Sequence, residues 1–365
     1  MFDPAALSLA VEKGIISPEQ KEQLLALLSE QRSSNSVAAR DEAPRFFRSF
    51  NDLFIGLGIF ILGWALTTGS FLVADEFPPL RIFVMLASTL LIWWLAEWIT
   101  RVRRINFPSI IIACFFGLFS LFTLFAGWDL IAGTPDGKPT SLFSESPLPS
   151  FVVFGFGSLA MAAFFWRFRL PFSVLLLAAF LMMTLISGLF AVFGKDTLEP
   201  VLRWIFLLAG LLVFAGAMKF DFQDPLRTQR TSDHGFWLHL LAAPIITHSV
   251  LWTTLKPILS KTADAEASAN VMVLVVLVMF AVFSLVALII DRRALLISSL
   301  GYASAALGYI IYKFSIEGTL ALVLTLGLIA VLILTLGTGW YQLRAKVFQF
   351  LPDFAFKDKL PPLKL

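Results

Sequence analysis

Charge is scarce in this sequence. Asp, Glu, Lys and Arg make up 15% of the 365 residues, against about 25% in soluble domains. Hydrophobic residues reach 58%, where roughly 45–50% is usual, and the mean hydropathy is +0.84. A water-soluble fold has no interior large enough to hide so much apolar side chain, so the composition asks for lipid as solvent. Cysteine is nearly absent as well. Cys114 stands alone, which excludes an internal disulfide and a thiolate metal site. Three histidines, His234, His239 and His248, are too few for a haem-rich redox protein. The sequence contains no Walker-type glycine-lysine loop, no His-Glu-x-x-His, no Gly-x-Ser-x-Gly and no Cys-x-x-Cys. It has no basic stripe with interleaved aromatics, so nucleic acid is not expected as a partner. Residues 1–50 hold no apolar run of signal-peptide type, and no cleavage is expected before the first span. These gaps leave no cofactor to assign and make an enzyme the less favoured class.

What is present is a series of apolar segments. They fall near Phe54–Val73, Leu80–Thr100, Ser109–Trp128, Phe151–Trp166, Phe172–Phe193, Val201–Met218, Phe236–Leu255, Val271–Ile290, Ala294–Tyr312 and Leu320–Tyr341. Each is close to the roughly 20 residues that a helix needs to cross a bilayer. The loops between them are too short for a second globular domain. Arginine or lysine follows every even-numbered segment: Arg101, Arg103 and Arg104; Arg167 and Arg169; Lys219, Arg227 and Arg230; Arg292 and Arg293; Arg344 and Lys346. Basic residues gather on the cytoplasmic side of membrane proteins. With the N-terminus inside, only Arg81, Lys138, Lys195, Arg203, Lys256, Lys261 and Lys313 of the 28 Lys and Arg fall outside. The expected fold is therefore all-α, a polytopic membrane helix bundle of about ten transmembrane helices with both termini cytoplasmic. Residues 1–32 form a cytoplasmic helical hairpin, 33–50 a linker, 51–343 the bundle and 344–365 a cytoplasmic tail. That tail mixes Phe348, Phe350, Leu351, Phe354 and Phe356 with Lys357, Lys359 and Lys364; it lies on the inner membrane surface or is only partly ordered. Trp128, Trp166, Trp204, Trp237, Trp252 and Trp340 stand near span ends, where an amphipathic ring suits the headgroup level.

The hairpin carries its own signals. Gly14 ends a first amphipathic stretch, Leu7 to Lys13. Ser17 then offers an N-cap, Pro18 suits the first helical position, and Gln20 can complete a capping box. Leu24, Leu25, Leu27 and Leu28 make an apolar stripe on a second helix reaching about Arg32. The run Glu12-Lys13-Gly14-Ile15-Ile16-Ser17-Pro18-Glu19-Gln20, with Leu24 and Leu25, a basic linker and many close-set spans, resembles bacterial membrane proteins of the domain of unknown function 2157 type. The resemblance implies a bacterial inner-membrane protein. It implies no reaction and carries over no functional residue.

Polar groups at membrane depth are expensive, so each is a candidate. Glu97 lies a turn inside the second span and either binds a proton or cation or pairs with Arg101 at i+4. Asp52 opens the first span as an interfacial cap. Arg203 either holds an anion or pairs with Glu199 and snorkels. The seventh span is the most unusual. Pro244 removes a backbone donor and should kink the helix, with Thr247, His248 and Ser249 a turn beyond. Such a helix can line a cavity or simply pack. His239 and His248 are nine residues apart, hence on opposite faces, and cannot chelate one metal. No central span pairs two carboxylates, and buried ionisable groups look few. Small residues in Gly301-x-x-x-Ala305 with Gly308, and at Ala209, Gly210 and Gly216, favour close helix packing.

Three functions stay open. A small-molecule permease or transport component would use a cavity near the seventh span. A non-catalytic assembly or regulatory protein would bind a cytoplasmic partner through residues 1–32. An intramembrane lipid-modifying enzyme would need His248 and Arg203 together. Membrane lipids are partners in each case.

Overall fold

A computed structural model describes residues 11–15, 17–25, 50–77, 80–133, 147–227, 229, 231–259, 265–313, 318–352 and 357–363. Most of the linker, the start of the hairpin and the stripe residues Leu27 and Leu28 lie outside this set. The described part of the hairpin forms as its residues dictate. Ser17 N–H donates to Gln20 Oε1 at 2.9 Å and Gln20 N–H to Ser17 Oγ at 3.1 Å, a reciprocal capping box. Gly14 ends the preceding turn at φ +67°, a conformation that costs glycine nothing.

Ten helices follow that are long and apolar enough to cross a membrane, and no strand occurs among the described residues. They are α1 (Phe50–Glu76), α2 (Arg81–Ala96) continued by a π-helix, Glu97–Arg103, α3 (Asn106–Ala132), α4 (Pro147–Phe168) and α5 (Phe172–Phe193). Next come α6 (Leu202–Gln223), α7 (Thr231–Leu259), α8 (Ala265–Ile290), α9 (Ala294–Lys313) and α10 (Gly318–Phe350). All ten apolar segments become helices. The largest difference is at the end: α10 runs past Tyr341 to Phe350, so Arg344 is a helical residue and not part of a tail.

The two ends of the bundle turn differently. At the basic end, non-glycine residues with left-handed backbone occur in four successive turns: Arg104 (φ 54°), Arg169 (φ 50°), Arg227 (φ 55°) and Asp291 (φ 55°). At the other end the positive-φ positions are glycines, Gly133, Gly194 and Gly318. After α8 the turn is a Schellman stop, with Arg292 N–H donating to Ala287 O at 2.8 Å.

Two helices organise the packing. The main neighbours of α3 are α1, α2, α4 and α5, and those of α7 are α5, α6, α8 and α9. The second set is the first shifted by four helices. A five-plus-five inverted plan would instead match α3 to α8, whose main neighbours are α7, α9 and α10. Around α3 the core is aromatic: Phe116 stacks on Phe164 at 4.9 Å, and Trp93 meets Phe164 and Phe168 at 6.0 and 5.1 Å. Each such pair adds about 0.5–1.5 kcal/mol beyond its burial. Around α7 the approach is by small residues. A Cβ on Gly210 of α6 would stand 2.8 Å from Ile246 Cγ1 of α7, which places this glycine at a close helix crossing. Gly216 and Gly301 meet nothing within 4 Å, so those two small residues mark no close approach.

Two of the tryptophans leave the expected belt. Trp166, Trp204 and Trp252 are exposed, but Trp237 is 8% and Trp340 1% exposed. Trp237 packs edge-on to Phe172 at 4.7 Å. Trp340 has a polar partner, described below. The end of the chain also departs from expectation: Leu360 and Pro361 are buried against the bundle.

Candidate functional site

Charges expected in loops are buried together where α6, α7, α8 and α9 meet. Asp221 lies in the last turn of α6, 6% exposed. A carboxylate there opposes the helix dipole and has left water, so it needs cations and donors. Arg292 supplies most of them. Its Nε lies 3.1 Å from each Asp221 oxygen, and its Nη2 donates to Asp221 Oδ1. The same Nη2 reaches Ser232 Oγ at 2.9 Å and Ser232 O at 3.0 Å. His239 of α7 closes the other side, with Nε2 at 2.9 Å from Asp221 Oδ2. An ionised carboxylate only accepts, so Nε2 carries the proton. Gly235, one turn before His239, makes room: a Cβ there would collide with Asp221 Oδ1 and sit 3.3 Å from Ala217 O. His239 is fully buried, its ring edge-on to Phe214 at 5.1 Å, and its Nδ1 has no hydrogen-bond partner among the described residues.

A second set of charges lies beside the first. Arg227 Nη1 stands 3.2 Å from Asp291 Oδ2, and Arg227 Nη2 donates to the carbonyls of Asp291 and Ile290. Trp340 of α10 donates Nε1–H to Asp291 Oδ1 at 2.6 Å, which explains its burial. Arg344, 1% exposed, donates Nε–H to Leu288 O at 3.0 Å and Nη1–H to Pro362 O at 2.8 Å, and also bonds Pro361 O. It thereby ties α8 and the chain end to α10. Asp224, also buried, accepts from Gln229 N–H at 2.7 Å. The expectation of few buried ionisable groups is overturned by this cluster. A residue's place after a span reports which side it lies on, not whether it folds back against neighbouring helix ends.

The sequence-derived candidates divide. His239 joins the cluster. Pro244 lies within an unbroken α7, Thr231–Leu259. Thr247 is buried but bonds its own helix, Oγ1 to Ala243 O at 2.8 Å. His248 is exposed, with Nδ1 3.3 Å from Tyr302 Oη and its ring 5.8 Å from Trp252. His239 and His248 thus have different partners, as their spacing requires. Glu97 does pair with Arg101, at 3.3 Å, but its closer partner is Arg167 of α4, with Nε at 2.6 Å and Nη2 at 3.0 Å. Arg203 makes no ion pair with Glu199 among the described residues; its guanidinium lies 4.7 Å over the Trp204 ring. Glu199 sits in a 3-10 turn, Glu199–Val201, whose three-residue period spoils the i, i+4 alignment. Asp52 is buried at 5% exposure. At the opposite end Arg81 and Asp129 join α2 to α3 at 2.9 Å.

The described residues form no group of His, Cys, Asp and Glu able to hold a metal. An open apolar depression lined by Leu66, Leu80, Phe83, Val84, Ala87, Ser88 and Leu91 includes no candidate. The cluster fixes the end of α6 against α7 and the α8–α9 turn. Compared with known families, curated proteins and solved structures, the chain matches no family model, no curated protein and no solved structure.

Proposed function

We propose that this chain is a multi-pass protein of a bacterial plasma membrane, with both termini cytoplasmic. In this reading it is a small-molecule permease or transport component whose cytoplasmic end is held closed by the Asp221–Arg292–His239 cluster. The observation that carries the reading is the burial of Asp221, Arg292 and His239 at 6%, 2% and 0% exposure. Ionisable groups in such a place are costly and are retained where they act. Their bonds tie the end of α6 to α7 and to the turn between α8 and α9. An arrangement of this kind has discrete alternatives, since Arg292 can leave Asp221 only by finding another anion, and discrete alternatives are what a gate needs. The scarcity of charge at mid-helix depth favours an uncharged or zwitterionic substrate. The test is uptake by proteoliposomes over a panel of such solutes, with wild type beside Asp221→Asn. Saturable uptake whose rate changes in the variant is expected. No saturable uptake by wild type across the panel would sink the reading.

A second reading has its own support. On the hairpin Ile15, Leu24 and Leu25 are exposed, at 71%, 40% and 38%, and a protein that docks a cytoplasmic partner there would need such residues. Cross-linking in native membranes, with and without residues 1–32, separates this assembly role from transport. The enzyme reading gains nothing, because His248 and Arg203 have separate partners. The likeness to the domain of unknown function 2157 proteins stands as part of this proposal.

A further inference from the structure

The two halves of the bundle handle arginine differently at the basic end. In the second half each buried guanidinium has carboxylates or carbonyls of its own: Arg292 has Asp221, Arg227 has Asp291, and Arg344 has the carbonyls of Leu288 and Pro362. In the first half Arg101, Arg103, Arg104, Arg167 and Arg169 lie in or beside the α2–α3 and α4–α5 turns, and two of them, Arg101 and Arg167, meet Glu97. Arg167 takes both Glu97 oxygens, and Arg101 reaches one from a side chain 55% exposed. Arg103 lies over Trp98 at 5.5 Å and Arg169 over Phe165 at 5.9 Å, and Arg169 donates Nε–H to Trp166 O at 3.1 Å; neither meets a carboxylate among the described residues. Arg104 is exposed and has no described partner. Left-handed backbone at Arg104 and Arg169 fixes both turns at this end, and the Glu97–Arg167 bridge holds the turns together.

We infer that this arginine cluster is a site for the phosphate of an anionic phospholipid headgroup. The inference rests on the membrane reading above but not on transport. Among the described residues only Arg101 and Arg167 of these five meet a carboxylate, and a bilayer supplies anions at this depth. Guanidinium groups suit phosphate because their paired N–H donors match its oxygens. Trp94, Trp98 and Trp166, exposed at 62%, 48% and 72%, mark the same end with rings suited to the headgroup layer. The Arg103 and Arg169 side chains already have ring partners, Trp98 and Phe165, which reduces the rotamer freedom lost on binding.

The experiment is native mass spectrometry of the full chain in mild detergent, offered phosphatidylglycerol and phosphatidylcholine in equal amounts. Wild type is expected to retain phosphatidylglycerol preferentially. The triple variant Arg103→Gln, Arg104→Gln, Arg169→Gln should lose it by about tenfold or more. The corresponding triple lysine variant, which keeps the charge but not the paired donors, should fall between wild type and the glutamine triple. Lys219→Gln with Lys346→Gln, which removes exposed charge from the other half, should behave as wild type. Equal retention of both lipids by wild type, or undiminished retention by the glutamine triple, would overturn the proposal. An equal loss in the Lys219 and Lys346 control would overturn it as well, because it would reduce the effect to net charge. Displacement of the lipid by millimolar inorganic phosphate would reassign the site to a free anion. The readout is lipid retention alone, so failure of transport leaves it intact.

Discussion

Glu97 and Asp221 close the same end of the bundle, four helices apart, and each is bound by an arginine that lies one helical hairpin further along. Arg167 is 70 residues beyond Glu97 and Arg292 is 71 beyond Asp221. The likeness ends at solvent. The Glu97 side chain is 29% exposed and that of Arg167 35%, whereas those of Asp221 and Arg292 are 7% and 3%. The first bridge leaves surplus arginines around it. The second is enclosed by His239 and Ser232, which bond Asp221 and Arg292 from α7. One plan has thus been used to gather cations at a surface and to bury a neutralised knot of charge. The difference lies in the helix beside each bridge: α7 brings His239, and Gly235 lets it approach closely.

Breaking the two bridges should separate them by several kcal/mol. Asp221→Ala leaves Arg292 and its charge buried without a carboxylate, a change expected to cost about 3–5 kcal/mol. Glu97→Ala removes a partly exposed pair, worth about 0–1 kcal/mol after screening by solvent. Chemical unfolding in a mild detergent measures both. Pairing Asp221→Ala with Arg292→Met should recover most of the loss, because the cost comes from the unpaired charge. Equal losses at Asp221 and Glu97 would mean that burial does not distinguish the bridges.

A smaller effect tests the role of α7. Gly235→Ala puts a methyl into the Asp221 carboxylate and against the Ala217 carbonyl. An overpacked contact of this kind costs about 1–3 kcal/mol. Gly301→Ala, in α9 with nothing within 4 Å of the new carbon, should be neutral or stabilise by up to about 1 kcal/mol through helix propensity. Matching thermal shifts for the two would remove Gly235 from the account of how Asp221 is held.

These particulars also show what a sequence can display. The ten helices were legible because length and apolarity act locally, residue by residue. The Ser17–Gln20 box and the Glu97–Arg101 pair were legible for the same reason, since partners three or four residues apart are fixed by helix geometry. The Asp221–Arg292 bridge was not, because its residues are brought together only by the packing of α6, α7 and α8. Arg344 reads in the sequence as a basic tail residue, its sign and side being all that a charge count registers. Trp340 reads as a lipid-interface ring, yet its N–H belongs to Asp291. Even the local pairing of Arg203 with Glu199 failed where a 3-10 turn broke the helical period.

The smallest effect sets function against structure at one residue. Arg104 holds left-handed backbone at φ 54° and has no described partner. That conformation costs an L-residue about 1–2 kcal/mol. Arg104→Gly removes the strain but adds roughly 0.4–1 kcal/mol of unfolded-chain entropy, so a net gain of about 0.5 kcal/mol is expected. The same exchange at Asp291 would be no test of strain, because it also removes the partner of Arg227 and Trp340. If the arginine cluster binds lipid phosphate, Arg104→Gly should raise the unfolding temperature in neutral detergent and lower retention of phosphatidylglycerol in the same sample. A variant that gained stability and kept its lipid would leave Arg104 outside the lipid site. One that lost stability would mean that the arginine side chain, and not its backbone, holds the turn.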